Sequence, residues 1–158
     1  MDAQPQKQHQ WLDKFVGEWT WESEYNRGNE EAPTKTNGTE VVRSLGRLWI
    51  IAEGVSGADG NSGKTIMTLG FDSQSDRFVG TFICSMMTYL WPYNGSLDAA
   101  EKVLTLDSEG PNFSQGAIAP YKDIIEFVSN DHRILTSQIL MDDGTWNHFM
   151  TTHYYRKK

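Results

Sequence analysis

Between Gly17 and the C-terminus the chain never sustains a helical hydrophobic period, and turn-forming residues cut it at short intervals. Asn26-Arg27-Gly28, Asn37-Gly38, the stretch Gly57 to Gly63, Asp72 to Asp76, Asp107 to Pro111, Ser129 to Asp131 and Asp142-Asp143-Gly144 are such interruptions. Each consists of residues that tolerate positive φ or hydrogen-bond their own backbone. The segments between them, 18–25, 34–45, 47–55, 64–72, 77–88, 93–98, 101–107, 121–129, 132–141 and 145–156, have strand length and strand composition. Connections this short make successive strands antiparallel. A meander of about ten strands is too long and twisted to stay open, and closing it removes the exposed edges. The sequence therefore predicts an all-β, closed or nearly closed antiparallel meander barrel, wide enough to hold a small ligand.

The N-terminal segment obeys a different rule. Trp11, Leu12, Phe15 and Val16 form one apolar stripe at helical spacing, with Pro5 placed where a helix begins and Gly17 where one ends. A helix over 6–16 covering one end of a barrel over 18–156 is expected. Gly17-Glu18-Trp19 then opens the first strand: Trp19, Trp21, Ser23 and Tyr25 face one way, Thr20, Glu22 and Glu24 the other. Many small ligand-holding barrels begin with Gly-x-Trp, the Trp plugging one end while the Gly hands helix to strand. Six Trp, six Tyr, seven Phe and 14 Gly suit rings on pleated faces with glycine at turns. At 158 residues the chain is read as one domain, 1–158.

Composition excludes several function classes. A net charge of −7, with basic residues clustered only at Arg156-Lys157-Lys158, argues against nucleic acid. Cys84 is the only cysteine, so no intrachain disulfide forms; the polar start and the lack of a long apolar run give no signal peptide and no membrane span. A cytoplasmic protein is expected. Gly57 to Thr65 imitates a phosphate-binding loop, but Ala58 stands where its first glycine belongs and a strand, not a helix, follows. Asp59-x-Asn61-x-Gly63 lacks the remaining calcium ligands, and Asn37-Gly38-Thr39 and Asn94-Gly95-Ser96 read as turns. No metal site is expected: His148 and His153, five apart, fall on opposite faces of a regular strand.

Candidate functional residues come from two strands. In 145–156 the even face, Trp146, His148, Met150, Thr152, Tyr154 and Arg156, has the greater apolar bulk and is expected to point inward. In 77–88, Phe78, Phe82, Cys84 and Met86 share a face, Gly80 leaving a gap between the rings. The expected cavity lining is Trp21, Phe78, Phe82, Cys84, Met86, Trp146, His148, Met150 and Tyr154, with Arg156 or Tyr154 meeting an acidic group on the ligand. Gly17, Trp19 and Arg156 are the expected closure, Arg156 lying over the Trp19 ring.

Taken together, Leu12 to Trp19, Ala52-Glu53-Gly54, Leu69-Gly70-Phe71-Asp72, Phe78 to Phe82 with Ser85-Met86, Gly95-Ser96 and the ending Met150 to Arg156 resemble a bacterial domain-of-unknown-function family, number 1579, of calycin-like barrels. The resemblance covers nearly the whole chain and implies a lipocalin-like fold without an established activity. That family tends to carry a Trp at the position of Phe82 and an Asp at that of Cys84, so no acid–base role transfers to the latter. More distantly the opening is similar to fatty-acid-binding proteins, lipocalins and nitrobindins, which bind lipids, small hydrophobes or haem. The first functional expectation is a non-catalytic barrel binding a hydrophobic or aromatic small molecule, without a cofactor. A haem protein or a cofactor-free isomerase or hydrolase using His148 with Tyr154 is the second. A ligand-free structural module, dimerising through the 77–88 strand, is the third.

Overall fold

The computed structural model describes residues 2–26, 32–57, 59–112 and 116–158. Arg27 and Gly28 of the first predicted turn, Ala58 of the 57–63 loop and residues 113–115 lie outside the described residues. Helix α1 (Lys7–Leu12) continues into a 3-10 turn over Asp13–Phe15, and ten strands follow. These are β1 (Gly17–Tyr25), β2 (Thr34–Leu45), β3 (Trp49–Ser56), β4 (Gly63–Asp72), β5 (Arg77–Cys84), β6 (Trp91–Leu97), β7 (Val103–Pro111), β8 (Ile118–Ser129), β9 (His132–Leu140) and β10 (Trp146–Arg156). Every strand pairs antiparallel with its sequence neighbours, and β1 pairs with β10 to close the barrel.

Helix α1 starts on a reciprocal cap. The Gln6 backbone N–H donates to His9 Nδ1, and His9 Nε2, left as the donor, reaches the Phe71 carbonyl on β4 at 3.0 Å. One imidazole thus ends the helix and ties it to the barrel. Trp11 donates to the Glu101 carbonyl at 2.7 Å, and Trp11, Leu12 and Phe15 are buried. The Trp11 and Phe15 rings meet each other and Phe127 edge-on, and Trp11 also meets Phe78, at centroid separations of 5.0–5.9 Å, filling the helix end of the barrel. No helix among the described residues is long and apolar enough to cross a membrane.

The barrel closes at Trp19. Its indole donates to the Phe15 carbonyl at 2.8 Å and is fully buried, so the plug is tied to the helix it follows. In the β1–β10 register Trp19 faces Arg156, whose guanidinium lies 4.2 Å from the indole centroid. Arg156 also donates to the carbonyls of Val16 and Lys14, each at 2.8 Å, and of Asn130 at 3.0 Å. Gly17 has φ of +138°, and a Cβ there would sit 2.5 Å from Arg156 Nη1. Glycine is needed at this position for the turn and for the approach of the guanidinium.

Candidate functional site

Above the aromatic plug the barrel encloses a cavity of about 260 Å³. Its walls are mainly apolar, with Met67, Phe82, Ile125, Leu135, Phe149 and Met150 among the lining side chains. Towards the end away from α1, an edge-to-face series of rings, Tyr89, Trp91, Tyr121 and Phe149, runs at successive centroid separations of 5.3, 4.8 and 5.9 Å. Trp91 is held by an N–H contact to Met87 Sδ at 3.3 Å, and Tyr121 donates to the Pro111 carbonyl.

Two polar groups interrupt the apolar wall. At the floor, Arg133 from β9 pairs with Glu40 from β2; their side chains are only 3% and 8% exposed. The Arg133 guanidinium lies 3.9 Å from the Tyr154 centroid, 4.5 Å from Trp19 and 5.1 Å from Phe15. Trp19 therefore lies against two guanidinium groups, Arg133 at the cavity floor and Arg156 at the closure. Nη2 of Arg133 is committed to Glu40, whereas Nη1 is buried and has no partner. Burial pushes the Glu40 carboxyl up, against the pull of the guanidinium beside it. Burial likewise raises the Tyr154 phenol, with the Glu40 charge adding to it.

On the wall, Asp123 from β8 accepts hydrogen bonds from the Tyr93 hydroxyl and, at 2.6 Å, from the Ser137 hydroxyl. Burial raises the Asp123 carboxyl although both donors favour its charged form. The Tyr93 phenol is raised well above its usual range by burial and by the adjacent carboxylate. Ser108 Oγ, also lining the cavity, is buried without a partner. Among the described residues no three His, Cys, Asp or Glu side chains are grouped to hold a metal ion.

The residues singled out in the sequence divide. Phe82, Met150 and Tyr154 line the cavity. Phe78 is buried, but beneath it, against Trp11 and Phe71. Trp21 is half-buried; its ring lies over Gly38 and its indole donates to the Thr39 carbonyl, off the cavity. Strand β5 ends at Cys84 rather than at residue 88, so Cys84 is a half-buried strand end opposite Thr65 and Met86 is 66% exposed. Arg156 serves the closure and does not reach the cavity.

Strand β10 departs from the expected alternation for one reason. Its register with β9 slips between His148 and Met150, a β-bulge that places Phe149 and Met150 both on the cavity wall. From Met150 onward the even residues face inward: Thr152 bonds the buried Ser23 hydroxyl at 2.9 Å, and Tyr154 reaches the floor. Before the bulge the phase is reversed. Trp146 is 38% exposed, with the Lys122 ammonium over its ring, and His148 is exposed, its Nε2 on the Thr151 hydroxyl. His148 and Tyr154 are therefore not brought together. The bulge also puts His148 on the outer side with His153, not opposite it; His153 meets His132 there at 2.9 Å. None of the four histidines lines the cavity, so a haem iron there would find no histidine ligand.

Glu40, Asp123 and Arg133 do not stand out among the aromatic and Met positions from which the cavity lining is read in the sequence. A signal was present: Glu40 is in phase with Val42, Asp123 with Tyr121 and Ile125, and Arg133 with Leu135 and Ile139. A charged residue in phase with the apolar face of its strand is either paired inside or functional.

Comparison with solved structures finds a number of similar chains. Rv2717c from M. tuberculosis superimposes with a TM-score of 0.65 at 12% identity, covering 98% of this chain and 100% of that one. A structure of EF1p2_mFAP2b bound to DFHBI gives 0.47 at 12% identity, covering 96% of this chain and 100% of that one. A redesigned beta barrel, b11L5F_LGL, gives 0.41 at 10% identity, covering 99% of this chain and 100% of that one. At these identities the first likeness speaks for the fold alone. Comparison with curated proteins finds no match. The model of one family, described as a protein of unknown function (DUF1579), matches residues 4–156, and the chain belongs to that family.

Proposed function

We propose that this protein binds a small, mainly apolar molecule inside the barrel and does not transform it. The observation that carries the reading is the cavity of about 260 Å³, apolar along most of its wall and floored by a buried guanidinium with an unpaired N–H. Interiors normally pack to crystal-like density, and buried donors normally find partners. A void combining apolar walls with an unsatisfied donor is the arrangement a binding site uses. The volume matches roughly nine waters of bulk liquid, so the occupant is on the order of a dozen non-hydrogen atoms.

Native mass spectrometry of gently purified protein, beside the same sample denatured, tests this. A reproducible mass excess that vanishes on denaturation is the expected result. Leu135→Trp fills the cavity from β9 and should abolish that excess while circular dichroism stays unchanged. An undiminished excess on a folded Leu135→Trp variant would count against this cavity as the site.

Self-association is a second reading, favoured by Ile66 and Ile83, which are cross-strand neighbours and exposed on the outer wall. A dimer of bare chains by size-exclusion chromatography and native mass would support it.

A further inference from the structure

We propose that the molecule held in this cavity is uncharged and presents one hydrogen-bond-accepting oxygen, a ketone, ester or amide carbonyl, to Nη1 of Arg133. This rests on the reading of the cavity as a ligand site and adds the class of ligand.

Three features converge on a neutral acceptor rather than an acid. Arg133 Nη1 is a buried donor lacking an acceptor, so the cavity asks for an oxygen at its floor. The guanidinium fork that grips a carboxylate through two parallel bonds is not free. Nη2 is already on Glu40, and the rings of Tyr154 and Trp19 crowd the group. One free nitrogen suits a single carbonyl oxygen.

The charge balance is the third. Among the described residues, Glu40, Asp123 and Arg133 are the charged side chains lining the cavity, and no Lys or His joins them. With both carboxyls ionised the lining carries one net negative charge; with one protonated it is neutral. Burial raises both carboxyls, which makes the neutral state accessible but leaves no surplus positive charge in either. An entering acid would meet a guanidinium already neutralised and a second carboxylate on the wall, where water screens little. A neutral carbonyl compound incurs neither repulsion, and its body meets Met67, Phe82 and Leu135.

The test uses three probes of one shape: 2-acetylnaphthalene, 2-naphthoate and 2-ethylnaphthalene, titrated calorimetrically into the folded protein near neutral pH. The ketone should bind at least about tenfold more tightly than either the carboxylate or the hydrocarbon, since an unpaired buried donor and like-charge contact each discriminate strongly. Glu40→Gln keeps an acceptor for Nη2 but removes one negative charge. It should narrow the ketone-to-carboxylate ratio by about tenfold or more. Asp123→Asn removes the other negative charge and makes the same test should Glu40→Gln not fold. Naphthoate binding as tightly as the ketone, or a ratio unmoved by these variants, would overturn the neutral-acceptor assignment and leave the cavity reading standing. Equal binding of ketone and hydrocarbon would overturn the role of Nη1. Failure of all three probes on folded protein would overturn the ligand reading itself.

Discussion

Replacing Arg156 with Met should loosen the closure, and the structure sets the size of the effect. The guanidinium satisfies the carbonyls of Val16, Lys14 and Asn130 and lies on the Trp19 ring. The bond to Val16 is part-buried, whereas those to Lys14 and Asn130 are exposed, so water replaces the latter at small cost. A charged donor on a partly buried carbonyl contributes about 1.5–3 kcal/mol. The stack on Trp19 adds about 1 kcal/mol, and the exposed bonds and the ion pair with Asp131 add a few tenths more. The loss should be about 3 kcal/mol, a large share of the ~5–15 kcal/mol that holds a domain together. For a chain of this size that lowers Tm by about 6–12 °C. Arg156→Lys keeps the charge but not the fork, and should recover less than half of the loss. Gly17→Ala attacks the same contact from the other side, through a φ of +138° and a Cβ 2.5 Å from Nη1. Because both substitutions act on one guanidinium, the double variant should lose less than the sum, with a coupling of about 0.5–3 kcal/mol. Urea unfolding followed by far-UV circular dichroism measures the wild type and all four variants. A loss below ~0.5 kcal/mol for Arg156→Met, or strict additivity with Gly17→Ala, would refute the closure argument.

Two further outcomes follow from the site. Asp123 has a folded-state pKa raised above its unfolded value, so the unfolded chain releases its proton first as pH rises, and stability falls between the ordinary carboxylate range and the raised value. In Asp123→Asn this contribution is absent, so the wild type should lose stability relative to the variant as urea unfolding is repeated at rising pH from about 4; parallel curves would show that the carboxyl is not perturbed. At Gly110 a Cβ would enter the Trp91 ring, so Gly110→Ala should displace that ring from the cavity wall at a cost of about 1–3 kcal/mol. Unchanged tryptophan emission and unchanged Tm in Gly110→Ala would contradict this placement.

The sequence alone determined the architecture. Turn chemistry and two-residue alternation are local properties, and they located ten strands with boundaries mostly within a few residues of those observed. The helix, the Gly17–Trp19 handover and the contact of Arg156 with Trp19 were legible because pairing of first and last strands follows from closing a meander. The cavity lining was legible only where alternation stayed regular. Phe82, Met150 and Tyr154 were found, while Trp146 and His148 were assigned to the wrong face because a single inserted residue reverses the phase of everything before it. Such a bulge is decided by how β9 and β10 settle their ladder, and no composition signal marks it. The meeting of Glu40 with Arg133 was likewise left to tertiary structure. They are 93 residues apart on strands that are not neighbours, and only closure of the barrel brings a buried carboxylate across the interior to its guanidinium. Strand periodicity tells which side of a sheet a residue faces; which residue it meets across a cavity depends on the curvature of the whole barrel.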